Sequence, residues 1–174
     1  MSDQTYLIIL RLLHICTGVF WAGATIYLAA FIAPAVRALG PDGGKFMQQL
    51  AKTNKLPAVM TIAATLNVLC GILLLWKLSA GFQSEWMSST YGIILSAGGG
   101  FAFIAYLEGL LVTRPTVNKI NQLGKNIAQA GGVPSAEQSQ QLMGLRKKIF
   151  SANNFAAFLL VLAVILMSIV KYIS

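Results

Sequence analysis

The sequence predicts an all-α integral membrane protein in which four helices cross the bilayer and form a four-helix bundle. Hydrophobic residues make up 56% of the 174-residue chain and charged residues only 10%, against about 25% in a soluble domain. Four apolar segments are also at least as long as the roughly 20 helical residues that a hydrocarbon core requires. These predicted spans cover about 6–36, 57–78, 90–113 and 149–172. We expect one transmembrane domain over 1–174.

The positive charges predict how the chain is oriented. They are concentrated in the connection at 37–56 and the connection at 114–148. The basic residues there are Arg37, Lys45, Lys52, Lys55, Arg114, Lys119, Lys125, Arg146, Lys147 and Lys148. Because Lys and Arg accumulate in cytoplasmic loops, both connections are predicted to lie inside and both termini outside. This placement explains the net charge of +8 without a nucleic acid as partner. The expected location is the bacterial cytoplasmic (inner) membrane, with the lipid bilayer as a partner.

The first connection is predicted to contain a short cytoplasmic helix at the membrane interface. A turn-forming Gly-Pro-Asp-Gly-Gly segment precedes it, and Asp42 is expected to cap it. Phe46, Met47 and Leu50 lie on one side of this helix, with polar and basic residues elsewhere, which is typical of an interfacial helix. Pro57 then suits the first turn of the second span.

The third connection is predicted to form a helical hairpin that extends spans three and four into the cytoplasm. Apolar residues recur near helical spacing after span three, so this helix is expected to continue past the membrane, kinked or interrupted at Pro115. The segment 130–134 breaks the pattern, and Ser135 with Gln138 resembles a capping box. The hairpin is either a solvated extension or a docking element for a partner.

One face of the first span carries the candidate cofactor site. Arg11, His14, Gly18, Trp21 and Thr25 are spaced three, four, three and four residues apart, which places them on one side of a helix. An ionisable side chain inside a membrane is costly and usually faces other helices. At 1.5 Å per residue, the imidazole lies about 12 Å below the outer interface. This depth is between the outer surface and the midplane of the bilayer.

An imidazole at this depth suits a b-type haem. His14 would ligate the iron, and Arg11 would pair with a propionate. Gly18 would leave room for the flat macrocycle, and Trp21 would pack on its edge. His14 is the only histidine in the chain, so a second axial ligand would be a Met, a Lys, a water or the His14 of another copy. The expected protein partners are further copies of the chain or the other subunits of a larger membrane complex.

Two other interpretations of His14 stay open. The imidazole could bind copper, with Met or Cys as soft partners. It could also be a structural histidine hydrogen-bonded to a neighbouring helix, for example to Asn67 or Ser96.

Glu108 is a second intramembrane charge, on the cytoplasmic half of span three. A salt bridge to Arg114 or Arg37 is expected, with a proton relay as the alternative. Interhelical hydrogen bonds are expected for the asparagines in or near the spans, which are Asn67, Asn153 and Asn154.

Segment 11–23 carries the pattern R-x-x-H-x6-W-x-G. It resembles a group of small bacterial inner-membrane proteins that includes the CopD-like copper-resistance domain, related four-helix membrane proteins and the HemJ-type protoporphyrinogen oxidases. Segment 145–172 looks like the last helix of such proteins. The resemblance implies a haem- or copper-associated membrane protein, with His14 at the group's first-helix histidine and Arg11 at the basic position of the HemJ-type proteins. The chain lacks the further histidines that these oxidases and copper carriers are expected to show.

Three functions follow as hypotheses. The first is a haem-associated membrane protein, a redox subunit or oxidoreductase, with a b-type haem near the outer leaflet. The second is a non-catalytic membrane subunit of a larger complex, and the third is a copper-transport protein. The sequence contains no Walker A, GxSxG or HExxH motif, and no GxGxxG motif after a strand, so no soluble enzyme class is indicated.

Overall fold

The computed structural model describes residues 3–53 and 55–173, which form helices and turns without a strand. The helices are α1 (Asp3–Tyr27), α2 (Ala33–Ala38), α3 (Pro41–Lys52), α4 (Leu56–Leu78), α5 (Ser84–Ser88), α6 (Thr90–Glu108), α7 (Arg114–Gln129) and α8 (Ala136–Ile173). Two π-helical segments, Leu28–Ile32 and Gly109–Thr113, join α1 to α2 and α6 to α7. Among the described residues, four helical runs are long and apolar enough to span a membrane: Asp3–Ala38, Leu56–Leu78, Thr90–Gln129 and Ala136–Ile173. The all-helical class and a multi-pass membrane protein are confirmed.

Both π-helical segments end two residues before a proline. Pro34 and Pro115 are each the second residue of the helix that follows. A proline within a helix removes one hydrogen bond and presses its ring against the carbonyl four residues earlier. The wider π-helical turn shifts the hydrogen bonding by one residue, so that the Ala33 N–H donates to the Leu28 carbonyl. The predicted interruption at Pro115 is confirmed, whereas the one at Pro34 was not predicted.

The four long helices pack around one buried cluster to which each contributes. Helix α1 lies against α4 and α8, and α6 lies against α8 and α4. Apart from one indole, the cluster consists of small and aliphatic side chains; its members are Trp21, Ala22, Ala63, Ala64, Ala105, Ala156, Leu159 and Leu160. Because lipid tails are as apolar as these residues, close packing of small side chains is what holds such helices together.

Contacts between neighbouring helices define two ends of this assembly. At the termini end, the start of α1 meets the end of α4, where Lys77 Nζ lies 5.9 Å from the centre of the Tyr6 ring. At the hairpin end, the Arg37 guanidinium lies 4.6 Å from the centre of the Phe150 ring. This second contact ties α2 to α8.

Helix α3 occupies the first connection, as predicted, but Asp42 does not cap it. The N-cap position is Gly40, whose φ of 59° favours glycine, and no side-chain cap is formed there. Asp42 lies inside the first turn, and its carboxylate accepts a 2.8 Å hydrogen bond from Lys45 one turn further along. This hydrogen bond, together with the opposite charge, lowers the pKa of Asp42 and raises the pKa of Lys45.

The predicted hairpin is formed by α7 and the first part of α8. Its capping box is confirmed, because the Gln138 N–H donates to Ser135 Oγ at 3.1 Å and the Ser135 N–H donates to Gln138 Oε1 at 2.9 Å. The hairpin does not stand alone. The Arg146 guanidinium lies directly beside Gly44 of α3, so the hairpin touches α3 at this point.

Gly98 marks the closest approach of α6 and α8. A Cβ atom at Gly98 would lie 3.1 Å from Met167 Cγ and 3.3 Å from the Ala163 carbonyl oxygen. Gly100, two residues along, has open space at the same position. Only the first residue of this three-glycine run is therefore needed for the helix contact.

We predict that Gly98→Leu destabilises the protein and that Gly100→Leu does not. Overpacking a tight contact costs about 1–3 kcal/mol, whereas a side chain at Gly100 meets lipid. Unfolding of both variants in detergent micelles, followed by circular dichroism, would measure the difference. Equal midpoints for the two variants would contradict the packing described for Gly98.

Candidate functional site

The His14 side chain is held by Asn67 of α4 through reciprocal hydrogen bonds. His14 Nδ1 lies 2.9 Å from the Asn67 backbone carbonyl oxygen, and Asn67 Nδ2 donates to the His14 backbone carbonyl oxygen at 2.7 Å. Asn67 Nδ2 also lies 3.3 Å from Nδ1, but the shorter contact is with the carbonyl oxygen, which can only accept, so the geometry favours the tautomer with the proton on Nδ1. In the neutral ring this leaves the Nε2 lone pair available as an acceptor or a metal ligand. Of the two neighbours predicted for a structural His14, Asn67 is the one observed.

Two glycines make room for these two side chains. A Cβ atom at Gly71 would lie 2.9 Å from His14 Cε1, and one at Gly18 would lie 2.7 Å from Asn67 Nδ2. Each polar residue on one helix is therefore accommodated by a glycine on the other. His14 and Gly18 are four residues apart on α1, and Asn67 and Gly71 are four residues apart on α4. The space expected for a macrocycle beside Gly18 holds the Asn67 amide.

Trp21 and Thr25 continue the same face of α1 into the core. Trp21 is 6% exposed and belongs to the buried cluster shared by the four long helices. Thr25 Oγ1 donates to the Trp21 carbonyl oxygen at 2.8 Å, and Asn153 of α8 approaches the Thr25 carbonyl oxygen at 3.5 Å. With His14 and Gly18, these residues face the other helices, as their spacing predicts.

Arg11 lies one turn closer to the termini end and is exposed. It lines a small cavity of about 270 Å³ between α1 and α4, together with Leu7 and Leu74. Across residues 3–53 and 55–173, the ion pair between Lys45 and Asp42 is the one salt bridge formed. The Arg11 guanidinium is therefore not neutralised by a carboxylate of the described chain.

For a haem at His14, one copy of the chain would offer the imidazole and a cation at Arg11 one turn away. The cavity at Arg11 is smaller than the roughly 300–1,000 Å³ of typical small-molecule pockets. The neighbourhoods of Gly18 and Trp21 are already filled by Asn67 and by the core. A complete haem pocket therefore requires a second protein surface.

The described residues do not assemble a multidentate metal site. No group of three or more His, Cys, Asp or Glu side chains lies together in this part of the chain. Cys16 is exposed and Cys70 is buried, and both are free thiols. Cys70 packs with Leu10 and Leu74.

The expected salt bridge of Glu108 is wrong. Its Oε1 atom accepts a 2.8 Å hydrogen bond from Thr113 Oγ1, five residues along the same helical run. The π-helical segment places these two residues together, since it widens the turn between them. Arg37 meets the Phe150 ring instead. Arg114 makes no ion pair within the described residues.

The predicted interhelical role of the three asparagines holds for two of them. Asn67 bonds to α1, and Asn153 approaches α1 through the Thr25 carbonyl. Asn154 is exposed, and within the described residues it makes no hydrogen bond across helices. Sequence reasoning named Asn67 but missed Gly71. A signal for Gly71 was present in the sequence: on each of the two helices, a glycine follows the polar residue by four positions.

No protein-family model, curated protein or solved structure matches the chain. The resemblance of segment 11–23 to the CopD-like and HemJ-type group stays a prediction. The function therefore has to be argued from the residues of the site.

We predict that Gly71→Ala destabilises the protein relative to Gly23→Ala. The added methyl group at Gly71 displaces the His14 ring from the Asn67 carbonyl, which costs about 1 kcal/mol for an intramembrane hydrogen bond. Nothing lies within 4 Å of a Cβ at Gly23, so alanine there gains helix propensity without a clash. Unfolding midpoints in detergent would measure the effect. Nitrogen NMR of the single histidine would show whether the Nδ1–H tautomer is lost only in Gly71→Ala.

Proposed function

We propose that the protein is a haem-associated membrane subunit, a redox subunit or oxidoreductase, in which His14 Nε2 is an axial ligand of a b-type haem. The supporting observation is the hydrogen bond from His14 Nδ1 to the Asn67 carbonyl oxygen. In metal sites, a bond of this kind fixes the tautomer, orients the ring and raises the basicity of the coordinating nitrogen. The helix contact therefore prepares His14 as a ligand before any cofactor binds.

The residues around His14 have separate tasks in this proposal. Asn67 holds the imidazole against rotation, and Gly71 keeps the ring close to α4. Arg11 donates to a propionate, as guanidinium groups favour carboxylates. The apolar surfaces of α1 and α4 exclude water. A bound haem would supply one-electron redox chemistry.

The second side of the proposed haem site comes from another protein surface. His14 is the only histidine in the sequence, and one copy provides only part of a pocket. We propose either a second copy, which would bring its own His14, or another subunit of a larger membrane complex.

We also propose how the chain lies in the membrane. The four long helices form a transmembrane bundle in the bacterial inner membrane, with both termini outside. Helix α3 and the hairpin lie in the cytoplasm, with α3 at the interface. The ten basic residues of the two connections at the hairpin end support this orientation. It places His14 in the outer leaflet.

Cysteine labelling tests this orientation. In a Cys16→Ala/Cys70→Ala background, Gln83→Cys should react with a membrane-impermeant maleimide in intact spheroplasts. Lys125→Cys should react only after the membrane is permeabilised, because α7 is then cytoplasmic. Both native residues are exposed, so burial does not hide either site. Labelling of Lys125→Cys in intact spheroplasts would overturn the orientation.

Absorption spectroscopy tests haem binding. Protein purified from haem-supplied cells should show a Soret band that is lost in His14→Ala and kept in Asn153→Ala, which changes an intramembrane polar residue away from the ligand. A haem shared by two His14 ligands predicts one haem for two chains. Absence of the band in the wild type, or an unchanged band in His14→Ala, would reject haem binding.

A non-catalytic subunit of a larger complex is the second candidate. The supporting observation is that His14, Gly18 and Trp21 all have partners within the chain. This face of α1 therefore also works as a helix–helix contact. This function predicts co-purification with defined subunits and no cofactor. Copper transport, the third candidate, is supported by the His14 imidazole and by the resemblance of segment 11–23.

A further inference from the structure

A long groove runs between α6 and α8 at the hairpin end, away from His14. Its volume is about 760 Å³ and it is open along one side. Ile104, Leu107 and Leu111 form part of its α6 side and of the following π-helical segment, and Phe155 lies on the α8 side. Phe155 is 51% exposed and Leu111 is 71% exposed. The walls are therefore apolar surfaces that no part of the described chain covers.

Two lysines line this apolar groove towards its hairpin end, between Gly144 and Phe155. Lys147 and Lys148 line it from α8, and Phe155 lies seven to eight residues further along the same helix. At 1.5 Å per residue, the charged end and this apolar wall are about 12 Å apart. The groove thus changes from cationic to apolar along its length, on the scale of a headgroup and the first part of an acyl chain.

Glu108 also lines the groove, but its carboxylate is engaged by its own helix. Thr113 Oγ1 donates to Glu108 Oε1 at 2.8 Å. The two lysines make no ion pair with it or with any other carboxylate of the described residues. The cationic end therefore has unneutralised charge available for an anion.

We propose that this groove is a binding site for an anionic phospholipid. The phosphate would lie at Lys147 and Lys148, and an acyl chain would lie along Ile104, Leu107 and Phe155. Basic pockets at the cytoplasmic ends of transmembrane helices recognise acidic lipid headgroups in this way. A water-soluble anion would gain nothing from the apolar walls. A second copy of the chain would bring the same basic residues to the same end, and a purely apolar helix would bury both lysines without a partner.

Native mass spectrometry of the purified protein would compare its binding of phosphatidylglycerol with its binding of phosphatidylcholine. We expect retained phosphatidylglycerol in the wild type. Binding should be at least roughly tenfold weaker in Lys147→Gln/Lys148→Gln, since basic residues near a membrane each contribute substantially to anionic lipid binding. Lys119→Gln/Lys125→Gln on α7 removes the same charge outside the groove and should bind as the wild type does.

A groove-filling variant tests whether the headgroup lies in the groove, because Gly144 is three to four residues from Lys147 and Lys148, on the side away from Phe155. Gly144 lines the groove, and nothing lies within 4 Å of a Cβ there. Gly144→Phe should therefore fold, as judged by its circular dichroism and unfolding midpoint, and should lose phosphatidylglycerol. Glu108→Gln should retain the lipid, because the phosphate is recognised by lysines.

Four results would overturn the proposal. Equal binding of phosphatidylcholine would remove the role of the phosphate. Equal loss in the two double-lysine variants would show general charge attraction. Loss in Glu108→Gln would point to recognition of a headgroup ammonium. If Gly144→Phe changed only the oligomeric state, the groove would be a protein contact instead. None of these results depends on whether His14 binds haem.

Discussion

A polar side chain inside the hydrocarbon core is stabilised by a partner within the protein, because no water is present to supply one; among the described residues, Ser96 Oγ is buried without such a partner. The threonines in and next to the spans find their partners locally, by donating to the carbonyl one turn earlier. These residues are Thr17, Thr25, Thr61, Thr65 and Thr116. His14 and Asn67 instead use each other across two helices. Their pairing requires α1 and α4 to lie together in one register.

The contact that fixes this register also sets the chemistry of His14. It uses only the Nδ1 side of the ring and the two backbone carbonyls, and it leaves Nε2 free. A structural role and a ligand role therefore do not compete for the same atom. A helix contact that needs no cofactor can exist first, and a ligand can then bind to a ring that is already oriented. This is why both candidate functions use the same face of α1.

Sequence reasoning predicted the spans, the hairpin and its cap, and it missed contacts that depend on helix register or on the π-helical turn. The spans follow from hydropathy, and the cap at Ser135 follows from residues three positions apart. The contact of Gly71 with His14 depends on the register of α4 against α1, which no local pattern specifies. Glu108 was expected to pair with Arg114 or Arg37, but the π-helical segment places Thr113 within hydrogen-bonding distance instead.

The two candidate sites belong to different helix pairs. Helices α1 and α4 are joined by the polar contact at His14, near the termini end. Helices α6 and α8 are joined by close backbone approach at Gly98 and open into the groove at the hairpin end. The pairs meet through a cluster of mostly alanine side chains and through two polar contacts. Thr65 Oγ1 lies 3.1 Å from the Tyr106 hydroxyl, and Asn153 Nδ2 lies 3.5 Å from the Thr25 carbonyl oxygen. Neither contact includes His14 or a residue that lines the groove. The two candidate sites are therefore separated by the core, and we propose a different ligand for each: a cofactor at His14 and a lipid in the groove.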